Sequence, residues 1–178
     1  MSGWRPGDRR PDRESMLRVD QAGEYGATRI YAGQLAVLRR NCPEAKLIAR
    51  MAAQEERHLK RFNALMADRR VRPTALQPLW NVAGFALGAA TALMSEKAAL
   101  ACTDAVETEI DRHYASQLAA LGNDDPELSA DIAEFQAEEL EHRDTAREAG
   151  AAQAVGYPLL TAAIRAGCRV AIGLSKRI

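Results

Sequence analysis

The chain nearly repeats itself. EYGATRIYAGQLAVL, from Glu24, aligns with ETEIDRHYASQLAAL, from Glu107. One constant offset pairs Glu24 with Glu107, Arg29 with Arg112, Tyr31 with Tyr114, Gln34 with Gln117, Leu35 with Leu118 and Leu38 with Leu121. AAQEERH and QAEELEH align one residue further apart and match Ala53 with Ala137, Glu55 with Glu139 and His58 with His142. Internal repetition of this kind constrains the fold before any other property does. The chain must build two similar halves, each a segment with one Glu followed by a segment with Glu-x-x-His.

Those segments read as helices. Ala and Leu dominate, β-branched residues are sparse, and turn signals are widely spaced, so the class is all-α. Pro43 in NCPE suits a first helical turn, and Asp125 before Pro126 suits an N-cap. Breaks fall at DRRVRPTALQP and around GAAQAVGYP. The predicted helices are 15–40, 44–67, 78–90, 92–121, 126–149 and 157–175. At 178 residues one domain suffices, taken here as 16–178 behind a flexible arm, 1–15, with no apolar h-region. Charge balances at 24 against 24, which excludes a nucleic-acid partner recruited by net field. Cys42, Cys102 and Cys168 form no CxxC pair and read as packing residues. The uncharged run 74–95 is interrupted by Pro78, Gly84 and Gly88, which suits a buried or interfacial helix better than a membrane span.

On a helix, residues three apart lie on one face about a turn apart, so Glu and His at this spacing can bind one ion together. A lone Glu-x-x-His in a Glu-rich chain reads as a solvated face. Two of them in register, with two further register-matched Glu residues, read as a metal site. Four carboxylates neutralise two divalent ions, and oxygen and imidazole donors without thiolate favour iron or manganese over structural zinc. The pattern resembles that of the ferritin-like di-metal bundles, which implies that Glu55 and Glu139 bridge both ions, Glu24 and Glu107 hold one each, and so do His58 and His142. Asp20, a turn before Glu24, is expected to fix an imidazole N–H. The metal-free site is expected to be strained and acid-sensitive. Core packing with a satisfied hydroxyl is the default for Tyr31 and Tyr114. A surface or supporting role is the default for His113, and capping or an ion pair for Arg169.

The ligand pattern is that of the ferritin-like di-metal bundles. LRVDQAGEYGATRIYAGQLAVL, ACTDAVETEIDRHY, EELEHRD and AGCRVAI further resemble the demethoxyubiquinone hydroxylases, from Met16 to the end. Gln21 departs from the family, where many members have His. The resemblance implies a ferritin-like four-helix bundle with two added apolar, membrane-facing helices, 78–90 and 157–175. It implies two iron ions on Glu24, Glu55, His58, Glu107, Glu139 and His142. The implied reaction adds one oxygen atom of O₂ to the last open ring carbon of a polyprenylated quinol, releasing the other as water. NADH is the implied reductant, directly or through a redox partner, although the chain has no Gly-rich dinucleotide fingerprint. Tyr114, His113 and Arg169 are candidates for passing protons or electrons to the quinone.

The expected place is the cytoplasmic face of a bacterial membrane, or the mitochondrial inner membrane for a processed eukaryotic form. A lipid-binding partner protein and a homo-oligomer are compatible with the apolar helices. Two readings compete: an iron-oxidising storage or peroxide-scavenging bundle, and a helical lipid-binding scaffold with a vestigial site.

Overall fold

The computed structural model describes residues 12–177, and secondary structure among them is entirely helical. Six α-helices follow one another: α1 (Arg13–Val37), α2 (Pro43–Arg69), α3 (Gln77–Met94), α4 (Glu96–Leu121), α5 (Pro126–Glu148) and α6 (Tyr157–Ser175). A short 3-10 turn, Ala151–Gln153, precedes α6. Each start has a local cause. Asp125 accepts from the Leu128 amide at 3.2 Å with Pro126 opening α5, as expected, and Pro43 opens α2. Asp12 accepts from Ser15 N at 3.1 Å and starts α1 two residues early, so Arg13 to Ser15 of the expected arm are helix. Residues 1–11 of that arm lie outside the described residues.

The break between α3 and α4 falls later than expected. Ser95, in extended conformation, accepts from Ala98 N at 3.0 Å and caps α4. Helical residues on both sides hide this cap, because Ala and Met continue α3 to Met94 without a periodic interruption.

The two halves of the sequence become two three-helix units. α3 packs on α1, and α6 packs on α4 in the equivalent position, so the repeat extends to a third helix whose sequence no longer shows it. α1 lies against α2, and α4 against α5. Two apolar clusters close the ends of this four-helix core. One gathers Leu38, Ile48, Met51, Leu100 and Ala146; the other gathers Leu17, Phe62, Leu65, Leu121, Leu128 and Ile132. Along every core helix the repeated Glu and His positions fall between these clusters, so the fold closes both ends of whatever lies at its middle.

α1 and α3 touch backbone to backbone. A Cβ on Gly88 would stand 1.9 Å from the Ile30 carbonyl oxygen, and one on Gly33 would stand 2.1 Å from that of Phe85. Only hydrogen fits at either position. The outer faces of α3 and α6 carry large exposed apolar residues: Val82 at 67%, Leu93 at 74% and Leu159 at 79% exposure. Among the described residues, no helix is long and apolar enough to cross a membrane. Gly88→Ala should lower the thermal midpoint by several degrees, from overpacking of about 1–3 kcal/mol. Gly23→Ala, where a Cβ meets nothing within 4 Å, should be neutral or stabilising in the same circular-dichroism melt.

Candidate metal centre

Glu24 comes from α1, Glu55 and His58 from α2, Glu107 from α4, and Glu139 and His142 from α5; all six are at most 2% exposed. Their donor atoms form two overlapping groups. Glu24, Glu55, His58 and Glu139 form one, and Glu55, Glu107, Glu139 and His142 form the other, with the atoms of each group within 4.8 Å of one another. Glu55 and Glu139 belong to both.

The donor set fits a pair of hard cations. Glu24 Oε2, both oxygens of Glu55, Glu107 Oε2, Glu139 Oε1 and His58 Nδ1 are buried with no hydrogen-bond partner. Leaving buried polar atoms unpaired costs roughly 1–3 kcal/mol each, and more for charged ones, so this constellation is stable only when something else satisfies it. Nδ1 of His142 also points inward, 3.1 Å from Glu139 Oε2 and 3.2 Å from Glu55 Oε1. The thiols are not competitors: burial pushes Cys102 and Cys168 up to about 12, and all three cysteines are free.

Without a cation, protons take its place. Burial raises Glu55 well above the carboxylate range, reinforced by the charges of Glu139, Glu24 and Glu107. Burial and Glu139 do the same to Glu107. Desolvation would depress His58, but the Glu139 and Glu24 carboxylates, 3.1 and 3.4 Å from Nδ1, overcome it and bring the imidazole to about 10. For Glu139, burial pushes upward and the two histidines pull harder, leaving it at about 2.

The raised groups contribute stability at low pH that is lost as pH climbs, for His58 from about 6.5 through about 10. Glu139 contributes stability above about 4.5 that is lost as pH falls towards about 2. The expected acid sensitivity of the metal-free site therefore attaches to Glu139, whereas the raised groups lose their contribution towards alkali.

The tyrosines cross between the halves. Tyr31 on α1 donates to Glu107 Oε1 on α4 at 2.8 Å, and Tyr114 on α4 donates to Glu24 Oε1 on α1. Each hydroxyl fixes the repeat-related carboxylate of the other half. Asp20 does not reach His58 or His142. Its Oδ1 accepts from Gln117 at 2.8 Å and lies 3.4 Å from Nε2 of His113, because its side chain points across the α1–α4 seam. The imidazoles are held instead by residues sequence reasoning missed: Glu138 lies 2.8 Å from His58 Nε2, and Gln54 Oε1 lies 2.9 Å from His142 Nε2. Gln54 and Glu138 occupy the same repeat position, a signal concealed by their differing identity. Arg169 pairs with buried Glu109 at 2.8 Å, alongside Arg165 at 2.7 Å.

Beside the centre lies an apolar cavity of about 540 Å³ between α1, α3, α4 and α6. Ala27, Ile30 and Val106 line it and also line a narrow void that reaches Tyr31 and Glu107. The space between α3 and α6 and the void beside Glu107 thus share an apolar lining.

Residues 11–175 match the family described as ubiquinone biosynthesis protein COQ7. The chain belongs to that family. A Rhodospirillum rubrum 3-demethoxyubiquinol 3-hydroxylase is 55% identical over 175 residues, covering 97% of this chain and 82% of the relative. The human NADPH-dependent 3-demethoxyubiquinone 3-hydroxylase, mitochondrial, is 52% identical over 169 residues, covering 93% and 77%. A Saccharomyces cerevisiae 5-demethoxyubiquinone hydroxylase, mitochondrial, is 44% identical over 181 residues, covering 93% and 78%. These COQ7 relatives are named as hydroxylating enzymes, which does not favour iron storage.

Because burial and neighbouring charge raise Glu55 and Glu107, and the carboxylates around it raise His58, divalent metal should compete with protons for these ligands. Calorimetric titration at pH 7 in two buffers of different ionisation enthalpy should show net proton release. Apparent affinity should fall about tenfold or more per pH unit on acidification. Binding without proton release would contradict these protonation states.

Proposed function

We infer that the chain hydroxylates the ring of a polyprenylated demethoxyubiquinol with O₂, as a ferritin-like di-iron monooxygenase of ubiquinone biosynthesis contained in a single domain that includes α1 from its start. The observation that carries this reading is the pair of donor groups sharing Glu55 and Glu139, set at the end of an apolar cavity. An iron pair held by Glu24, Glu55, His58, Glu107, Glu139 and His142 would supply redox electrons and open coordination positions for O₂.

The protein's own contribution is position and exclusion. The two apolar clusters keep bulk water from the carboxylates, so their charge acts in a low dielectric. Tyr31 and Tyr114 each leave one oxygen of Glu107 and Glu24 directed inward. The cavity accommodates apolar substrate, and its narrow extension at Ile30 and Val106 directs a ring towards Glu107 while the prenyl tail trails between α3 and α6. Quinol, O₂, two electrons and two protons balance to hydroxylated quinol and water. The electrons come from a nicotinamide dinucleotide, directly or through a redox partner: NADPH by the names of several relatives, NADH by the sequence resemblance. Tyr114, His113 and Arg169 pass protons or electrons towards the ring. Partly buried His113 meets buried Asp20 at 3.4 Å beside Tyr114, and Arg169 adjoins cavity-lining Cys168.

The exposed apolar faces of α3 and α6 favour peripheral attachment to a membrane, the reservoir of such a quinol. A bacterial form would sit on the cytoplasmic face and a eukaryotic form in the mitochondrion, where several relatives are named. The same faces suit a lipid-binding partner or a second copy.

Iron-loaded protein given a short-chain demethoxyubiquinol, a reductant and ¹⁸O₂ should place one labelled oxygen on the ring, read by mass spectrometry. Oxygen uptake without label, with the quinol shown to bind, would overturn the reading in favour of iron or peroxide chemistry. Val82→Asp combined with Leu159→Asp should cut co-sedimentation with vesicles several-fold and slow turnover of a long-chain quinol in them. Turnover of the short-chain quinol in solution should be retained.

A further inference from the structure

His58 and His142 occupy equivalent places in the two halves, and each turns Nδ1 to the centre and Nε2 outward. What meets Nε2 differs. Glu138, an acceptor only, lies 2.8 Å from His58 Nε2 and carries its negative charge beside that ring. Gln54 offers His142 a neutral amide oxygen at 2.9 Å. The two outer residues also meet each other: Gln54 Nε2 donates to Glu138 Oε2 at 3.4 Å. A hydrogen-bonded chain therefore runs His142, Gln54, Glu138, His58 across the outside of the centre.

That chain explains why the halves cannot be alike here. Two carboxylates at this separation would repel, and two amides would give neither imidazole a charged acceptor. One of each is the arrangement that satisfies both rings and their mutual contact. Arg57 steadies the arrangement by bonding Glu138 and, at 2.9 Å, Glu134; its repeat counterpart is Glu141, of opposite charge. A carboxylate on the outer N–H makes an imidazole a stronger donor than an amide does.

Resting on the metal-binding reading, we propose that Glu138 and Gln54 are positioning residues that make the two metal positions unequal. The position served by Glu24 and His58 binds its ion more tightly than the one served by Glu107 and His142. The centre fills in a fixed order, and the ion beside the cavity end, at Glu107, is the weaker and more exchangeable one. The difference lies in this chain's outer residues, because the inner donors of the two positions are the same in kind.

The test is cobalt(II) titration of the full chain, followed by its visible absorption. His142→Ala retains the His58 position and His58→Ala retains the other. The first should bind one ion about 10- to 100-fold more tightly than the second. Adding the exchange Gln54→Glu with Glu138→Gln to both should reverse that ranking, which loss of fold would not do. Equal affinities, or a ranking unmoved by the exchange, would overturn the proposal while leaving the metal centre standing. Absence of any cobalt binding by the unaltered chain would sink the metal reading itself.

Should either alanine variant fail to fold, Glu138→Gln alone in the intact chain gives both rings an amide. The gap between the two stepwise constants should then narrow by about tenfold or more. An unchanged gap would again overturn the proposal.

Discussion

Four carboxylates and two imidazoles lie fully buried within a few ångströms of one another, and the rest of the molecule is arranged around that fact. Charge of one sign in a low-dielectric interior is tolerated only when protons or cations compensate it. The two apolar clusters that enclose the centre are what make the compensation necessary, since they deny the carboxylates water. The tyrosines then fix how the carboxylates face, and the outer glutamate and glutamine fix how the imidazoles face. Stability and chemistry are therefore not separate properties of this core. The groups that would hold the metal are also the ones whose neutralisation lets the helices close.

The helices outside the core answer a different need. α3 is seated on α1 through glycines that admit no side chain, whereas α6 meets α4 without such contacts. Between them lies the apolar cavity, lined by Trp80 and Gly84 of α3 and by Ile164 and Cys168 of α6. Trp80 Nε1 donates to Ser175 Oγ at 3.1 Å and spans the gap between these two helices. The helices whose outer faces are greasy are thus also the walls of the route inward. Ala27, Ile30 and Val106 are the side chains common to that cavity and to the void beside Tyr31 and Glu107.

Much of this was legible in the sequence because helical spacing converts directly into geometry. Glu55 with His58, and Glu139 with His142, needed only the three-residue rule, and the constant offset supplied their partners. The apolar character of α3 was visible as an uncharged run, and that of α6 as a largely apolar segment interrupted by Arg165 and Arg169. What stayed hidden depended on direction rather than spacing. Asp20 sits one turn from Glu24, yet its side chain crosses to Gln117 and His113 on α4. Gln54 and Glu138 were aligned by the repeat but differ in type, so matching by identity passed over them. Arg169 lies in an ion pair with Glu109, sixty residues away, a contact that only packing of α6 on α4 creates.

The crossed tyrosines carry one more implication. Each half supplies a hydroxyl whose acceptor belongs to the other half, and each half supplies a carboxylate whose orienting partner lies across the seam. Neither unit is complete in itself, although their sequences make them look like interchangeable modules. A fragment ending between α3 and α4 would part Tyr31 from its carboxylate acceptor and leave Glu24 without its donor. Kinship between the halves has become interdependence: the duplication visible along the chain can no longer be undone by cutting it.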